Sequence, residues 1–374
     1  MKNITNPKIR KSNFELMRII SMLFVVMWHI ILHGQLFNAG GTTKFFLEFL
    51  ILLGAVHINS YVLVSGYFQC DKNFSIKKFL NLFLTIWFYK TAIIVIYYLH
   101  PVNPIPKLEL LKGILPLDFG IYWYMNCYLL LYLLTPWLNK LIKHMNQKEY
   151  RKLLITLFIL FSIIPYITKQ IVVANNGYTI VQFVFMYLIG AYLKKYPIRN
   201  NTHFKNYSRN KCQVIFFAGF WLFTVLNFVN FQFSHYLFIF SNPLLRTIGT
   251  FLETSFRAYS NPIIIIQSVL YFLYFSTLRL RSKRINFISL FTLDVYLIHE
   301  NLYIVEYLKK IFVFEKWLQY NGYKIIIFTL LSTVLVYICC IIIGILKKRI
   351  FKIISKNKYF ITMKKKIYLY TDNL

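Results

Sequence analysis

Two ionisable side chains, Arg18 and His29, lie within the first long apolar segment of the chain. An imidazole exchanges protons near neutral pH, whereas a guanidinium keeps its charge and binds anions through charge-assisted hydrogen bonds. The eleven positions from one to the other equal three helical turns plus about 20°, so both side chains share a face, about 16 Å apart along the axis. Ionisable groups are costly inside a bilayer and therefore mark candidate functional sites. The ordinary alternative is a snorkelling arginine and a hydrogen-bonded core histidine.

His299 is a second candidate, in the polar stretch DVYLIHEN at 294–301 within the ninth apolar segment. Its ordinary alternative is a hydrogen bond between packed helices. His57, in the middle of the second segment, has only its position in its favour, and we interpret it as a packing residue. Weaker candidates are His33, one turn after His29, and the small residues Ser65 and Gly66, which allow two helices to approach closely. Trp123 and Tyr124 are aromatic residues typical of a membrane interface, and Asn126 is the amide residue beside them.

The elements that carry these residues are apolar runs of about 16–24 residues, close to the length that crosses a hydrocarbon core. The segment 234–259 is weaker, because it carries a proline and three charges, and it predicts an external loop with an interfacial or re-entrant piece. The sequence therefore predicts an all-α bundle of about ten transmembrane helices. They are placed at 14–32, 45–68, 79–99, 121–138, 153–167, 179–193, 214–231, 262–278, 286–308 and 323–346.

Composition agrees with a membrane protein. The chain has 374 residues, of which 58% are hydrophobic and only 15% charged, below the quarter usual for soluble domains. Its net charge of +31 is high enough to suggest nucleic-acid binding, but the basic residues concentrate in alternate connections, as the positive-inside rule demands. This pattern predicts that both termini lie in the cytoplasm, and it explains the charge without a nucleic-acid partner. Residues 1–350 form one transmembrane domain, and the basic tail 351–374 is expected to attract anionic membrane lipid.

The five cysteines match no zinc or disulfide framework, and we expect thiols with no catalytic part. No glycine-rich phosphate loop, dinucleotide fingerprint or metal-ligand spacing occurs in the sequence. We therefore expect no metal site.

Arg18 and His29, separated by ten residues in a first span, resemble the signature of the acyltransferase 3 family of membrane acyltransferases. Further segments similar to that family follow in the same order over essentially the whole chain. The closest likeness is to polysaccharide O-acetyltransferases of low-GC bacteria. These segments are SGY at 65–67, the stretch from Trp123 through Tyr128 to TPWLN at 135–139, FMYLIGAYL at 185–193 and VYLIH at 295–299.

The resemblance implies a multi-pass enzyme of the bacterial plasma membrane. It would transfer an acyl group, most simply acetyl, from cytoplasmic acyl-CoA to a hydroxyl of an extracytoplasmic or lipid-linked glycan. Arg18 would hold the acetyl-CoA donor together with Ser65 and Gly66, and His29 would act as general base, with His299 also catalytic. Attack on a thioester needs no permanently bound cofactor. The acceptor would be bound by His33, Trp123, Tyr124 and Asn126.

Two residues depart from the family pattern. Asp294 stands where a glycine is typical, and Lys90 has no counterpart. An unpaired charge in hydrocarbon is unfavourable, and the two residues differ by only about 5 Å in their depth along their helices. We therefore expect Lys90 and Asp294 to form an ion pair. Many members of the family carry a further extracytoplasmic domain after the last span, where this sequence has a short basic tail. We therefore expect the acyl group to be transferred directly or through a separate partner protein. The alternative function is a polysaccharide-unit exporter or flippase; a non-catalytic scaffold would leave Arg18 and His29 unexplained.

Overall fold

The computed structural model describes residues 10–114, 122–168, 175–198, 204–255 and 257–354, and this part of the chain contains helices and turns without a strand. The lysines before residue 10 and the basic tail after residue 354 lie outside the described residues. A π-helix, Ile159–Ile163, joins the seventh and eighth α-helices. The α-helices are α1 Ser12–His33, α2 Gly41–Gly54, α3 His57–Gln69, α4 Ile76–Leu99, α5 Lys107–Ile114, α6 Trp123–His144, α7 Gln147–Phe158, α8 Ile164–Thr168, α9 Ile180–Lys195, α10 Arg209–Leu237, α11 Pro243–Ser255, α12 Pro262–Thr277, α13 Lys283–Ile288, α14 Thr292–His299, α15 Leu302–Phe312, α16 Phe314–Trp317 and α17 Gly322–Ile354.

Several of these helices are long and apolar enough to cross a membrane, which confirms an all-α membrane bundle. Within the described ranges there are 6 such segments, or up to 7 if the bent pair of α13–α14 with α15 counts as one span. α6, α9 and α12 coincide with three further predicted spans but fall outside this set. The count of ten and the cytoplasmic position of both ends stay predictions. The 6 segments are Ser12–His33, Gly41–Gln69, Ile76–Leu99, Gln147–Thr168, Arg209–Leu237 and Gly322–Ile353.

The second predicted span and the segment 234–259 are described in more detail by the structure than by the sequence. The second predicted span is not one helix, because α2 and α3 are separated by a turn at Ala55 and Val56. The segment 234–259 holds the end of α10 and then α11, a helix of 13 residues that packs against α10. A helix of that length is too short to span a bilayer, so it is compatible with the expected interfacial piece.

The ninth predicted span is broken. The sequence predicts one helix over 286–308, but α14 ends at His299 and α15 starts at Leu302, with an angle of 83° between the two parts. Asn301 caps α15 by accepting a hydrogen bond from Tyr303 N at 3.1 Å and donates to Tyr122 Oη at 2.8 Å. Tyr122 Oη in turn donates to Leu297 O at 2.6 Å. These side chains bond backbone groups that a broken helix leaves free, which is necessary at membrane depth.

Helix α1 lies at the centre of the bundle, where it contacts α2, α3, α12, α13, α14 and α17. Beside it, α3 and α9 approach until their backbones touch. A Cβ atom added at Gly66 would lie 2.1 Å from Tyr187 O, and one at Gly190 would lie 2.2 Å from Leu63 O. Only glycine allows this approach, a familiar arrangement between membrane helices. The contact fixes α3 against α9 and so holds one wall of the space next to α1.

The carboxylate of Asp294 has a different cation from the expected one. It pairs with Lys347 of α17 and accepts a hydrogen bond from Tyr89 Oη at 2.9 Å. Lys90, the next residue on α4, is itself buried, but the chain folds so that its neighbour Tyr89 reaches Asp294. The expected pair of Lys90 with Asp294 is therefore wrong. The error arises because depth along two helices does not determine which faces meet.

Replacing Lys347 by methionine should lower the amount of folded protein, because Asp294 would keep a buried charge without its cation. Removing one partner of a buried pair costs about 3–5 kcal/mol, so the double variant with Asp294→Asn should recover much of the loss. The measurement is the yield of monodisperse protein in detergent. The Lys90→Met variant is the control, and its loss should simply add to that of Asp294→Asn. Rescue of Lys90→Met by Asp294→Asn would restore the pairing expected from the sequence.

Candidate active site

The continuous α1 helix carries Arg18, His29 and His33, as the spacing predicts. The His29 side chain is 19% exposed and that of Arg18 is 30% exposed, so both are reachable from a cavity or from solvent. Arg18 Nη1 lies 3.1 and 3.2 Å from the two carboxylate oxygens of Glu15, one turn earlier. This contact orients the guanidinium and leaves its other nitrogens for a further anionic partner.

The break after α14 brings two side chains onto His29. His299 Nε2 lies 3.0 Å from His29 Nδ1, and Glu300 Oε2 lies 2.7 Å from the same nitrogen. His33 Nε2 is 3.8 Å from Glu300 Oε2. The last turn of α14 supplies His299, and the first residue beyond it supplies Glu300, so a straight ninth helix would turn one of them away.

The hydrogen bonds assign the protons of the neutral imidazoles. His299 Nδ1 lies 2.6 Å from Val295 O, which only accepts, so Nδ1 carries the proton and Nε2 is bare. His29 Nδ1 must then donate to His299 Nε2, which leaves His29 Nε2 with the free lone pair. Glu300 stands beside the Nδ1 proton and would stabilise a positive charge on His29. This arrangement equips His29 to take a proton through Nε2.

A cavity of about 220 Å³ lies beside the row of α1 residues that leads from Arg18 to Val25. Aliphatic, methionine and tyrosine side chains together form most of its wall. Tyr296 lines it too, and its ring centre is 6.3 Å from that of His299. His29, His33 and His299 themselves line a separate, smaller cavity next to Val26 of α1.

A second cavity, of about 350 Å³, adjoins the first, and the two share Leu82 and Tyr128 as lining residues. Its other lining residues are polar and include the two cations Lys72 and Lys78. These lie around the start of α4, which the charge pattern places at the cytoplasmic side. The cavity that carries the two lysines therefore adjoins the mostly apolar cavity beside Arg18.

Cys70 follows Gln69, a lining residue of the second cavity, and Cys127 precedes Tyr128, which lines both cavities. Burial, and then the charge of Asp71, raise the pKa of the Cys70 thiol to about 11. The Cys70 thiol therefore stays protonated at neutral pH and is a poor nucleophile. The expectation that the thiols take no catalytic part stays a prediction.

The structure brings together part of the predicted site. His29 and His299 are in contact, and His33 lies close by. Arg18, Ser65 and Tyr124 line the 220 Å³ cavity, where Ser65 Oγ is 3.2 Å from Tyr128 Oη. Tyr124 was expected at the acceptor, but it lines the same cavity as Arg18 and Ser65, which were expected at the donor.

Three predicted residues lie elsewhere. Gly66 contacts α9 and does not line the cavity. Trp123 packs against Tyr178 and Tyr259, with ring centres 4.6 and 6.1 Å away, and neither it nor Asn126 lines either cavity. Sequence reasoning missed Glu300, although its charge inside an apolar segment, directly after His299, was the available signal.

The same side chains could hold a metal ion. His29, His299 and Glu300 each offer one ligand atom, and these atoms all lie within 4.8 Å of one another. Imidazole and carboxylate are the ligands that zinc takes in catalytic sites. No sequence motif indicates this group, because His29 lies near the start of the chain and His299 and Glu300 lie near its end.

Comparison with known proteins gives one match. A family model described as an acyltransferase domain, that of the acyltransferase 3 family, matches residues 11–345. No curated protein and no solved structure matches the chain.

Proposed function

The chain belongs to the acyltransferase 3 family and is a membrane acyltransferase, and from this premise we propose that it moves an acetyl group from acetyl-CoA to a hydroxyl of an extracytoplasmic or lipid-linked glycan. The observation that carries the proposal is the chain of hydrogen bonds from His29 through His299 to Val295 O, with the Glu300 carboxylate beside it. The proposed setting is the bacterial plasma membrane.

The chemistry follows from the assigned tautomers. His29 Nε2 takes the proton of the acceptor hydroxyl while the oxygen attacks the thioester carbon. The C–O bond forms and the C–S bond breaks, and the proton passes to the departing CoA thiolate. The Glu300 carboxylate stabilises the imidazolium between these steps, and His299 holds the ring in place.

The two adjoining cavities support acyl-CoA as the donor. Its phosphates are anionic, and Lys72 and Lys78 present cations at the end of the path that the charge pattern assigns to the cytoplasm. The mostly apolar 220 Å³ cavity suits the uncharged pantetheine arm, with Arg18 bound to polar groups along it. An extended arm spans the roughly 16 Å between Arg18 and His29 on α1. The acetyl group would thus arrive at His29 from the cytoplasmic side.

The proposed acceptor side is the outer half of the bundle, where His33 follows His29 on α1. Basic residues outside the described ranges would hold anionic lipid at the cytoplasmic face.

The test is chemical analysis of the surface glycan for ester-linked acetyl groups, in cells with the protein, without it and with His29→Ala. The expected result is loss of the esters with the glycan itself retained in both altered strains. Purified protein should also transfer labelled acetyl from acetyl-CoA to that glycan. Loss of the glycan instead of its esters would indicate export and overturn the proposal.

Replacing Arg18 by alanine should raise the KM for acetyl-CoA by about 10- to 100-fold, the cost of one charge-assisted hydrogen bond. Arg18→Lys should restore part of the affinity, because lysine keeps the charge but lacks the planar fork. Initial rates over a range of acetyl-CoA concentrations measure the effect. Arg10→Ala is the control, since Arg10 lies 3.8 Å from the same Glu15 carboxylate but does not line the cavity. Full rescue by lysine would reduce Arg18 to a plain charge.

A further inference from the structure

Two polar atoms at the histidine cluster are buried, one on His33 and one on Glu300. Within the described residues, neither His33 Nε2 nor Glu300 Oε2 makes a hydrogen bond of regular geometry. They lie 3.8 Å apart, and Glu300 Oε2 approaches His29 Nδ1 to 2.7 Å without the alignment of a hydrogen bond. A buried polar atom without such a partner is costly, so a ligand that bonds to both would be favoured.

The spacing of these atoms fits one metal ion. In a tetrahedral zinc site with bonds of about 2.0–2.1 Å, neighbouring ligand atoms are about 3.3–3.5 Å apart. The distances from His29 Nδ1 to His299 Nε2 and to Glu300 Oε2 are 3.0 and 2.7 Å, and that from His33 to Glu300 is 3.8 Å. The ligand atoms of His29, His299 and Glu300 all lie within 4.8 Å of one another, and His33, 3.8 Å from Glu300, would have to move towards them to become the fourth ligand.

The surroundings also suit a metal ligand. The contact of His299 Nδ1 with Val295 O fixes the ring and leaves Nε2 bare, which is the usual support of a metal-bound histidine. Three imidazoles and one carboxylate favour Zn²⁺ over Mg²⁺ or Ca²⁺, which prefer all-oxygen sites.

We propose that His29, His33, His299 and Glu300 bind one Zn²⁺ ion reversibly and that the bound ion blocks acyl transfer. Coordination requires the lone pair of His29 Nδ1, so the proton on that nitrogen moves to Nε2. His29 then has no lone pair to accept the hydroxyl proton, and Glu300 no longer stabilises the imidazolium. Binding itself is independent of the proposed function, whereas the inhibitory effect rests on it.

The experiment uses the full chain, purified in detergent and stripped with a chelator, with Zn²⁺ alone as the probe in titration calorimetry. The expected result is one ion per chain, and at least about tenfold weaker binding in His33→Ala and in Glu300→Gln. Co²⁺ in place of Zn²⁺ should give the intense visible absorption of a tetrahedral site. The control is His235→Ala, because His235 forms another histidine–carboxylate pair, 3.6 Å from Glu253, at the end of α10.

Inhibition is measured separately, as the rate of acetyl transfer at rising Zn²⁺ relative to each variant's own metal-free rate. The wild type should lose activity at the Zn²⁺ concentrations that fill the site, and a chelator should restore it. His33→Ala should need at least about tenfold more Zn²⁺ for the same fractional loss. Unchanged binding in both His33→Ala and Glu300→Gln overturns the site. Binding to a fully active protein overturns the inhibitory effect. Tight Zn²⁺ binding to a chain that transfers no acetyl group rejects the proposed function while retaining the site.

Discussion

Replacing His29 by alanine should lower the rate of acetyl transfer by at least about 10²-fold, while the protein still inserts and folds normally. The reason is that His29 Nε2 is the lone pair left free by the chain of hydrogen bonds through His299, and alanine removes it. Stability should change little, because the His29 side chain is 19% exposed and lies at the edge of the buried cluster. We therefore expect kcat to fall, with little change in the affinity for acetyl-CoA.

Transfer of labelled acetyl by equal amounts of purified protein measures this loss. His144→Ala is a matched control, since His144 is an exposed histidine in the last turn of α6. Its rate should equal that of the wild type. A His29→Ala variant with a near-normal rate would make His29 a packing residue and would remove the proposed mechanism.

Replacing Gly66 by alanine should remove most of the folded protein. The added Cβ would lie 2.1 Å from the backbone oxygen of Tyr187, so α3 and α9 would have to separate and the opposite contact at Gly190 would open with them. Overpacking commonly costs about 1–3 kcal/mol and more where backbone must move. The measurements are the yield of monodisperse protein and its Tm.

Gly219→Ala is the matched control for this variant. An added Cβ there would meet the far end of the flexible Leu270 side chain at 3.2 Å, and alanine favours helix. That variant should fold as well as the wild type. If Gly66→Ala folds normally and instead raises the KM for acetyl-CoA, then Gly66 contacts the donor, as the sequence suggests.

Helical periodicity was sufficient to place part of the site. It put Arg18 and His29 on one face of one helix, because both belong to the same continuous segment. It could not show that His299 meets His29, since that contact depends on the packing of α14 against α1. Glu300 was missed for the same reason: its place follows from a bend that periodicity does not record.

The bend itself depends on tertiary contacts. Asn301 and Tyr122 complete the broken helix together, and they are far apart in sequence. The role of Gly66 was likewise ambiguous, because a small residue permits the approach of either a ligand or another helix. Asp294 was assigned to the wrong cation because Lys347 lies just beyond the last predicted span, 323–346, and was not considered as a partner within the bundle.

The separation of His29 and His299 by 270 positions has a consequence for biosynthesis. At a translation rate of about 5–20 residues per second, the histidine of the first span enters the membrane about 10–50 s before its partners exist. Thr292, Leu293 and Tyr296 of α14 also line the 220 Å³ cavity, so a nascent chain without α14 lacks both the finished cavity and the histidine pair. On the proposed function, no acetyl-CoA is held beside an unfinished site, because one late segment of the chain completes the cavity and the base together.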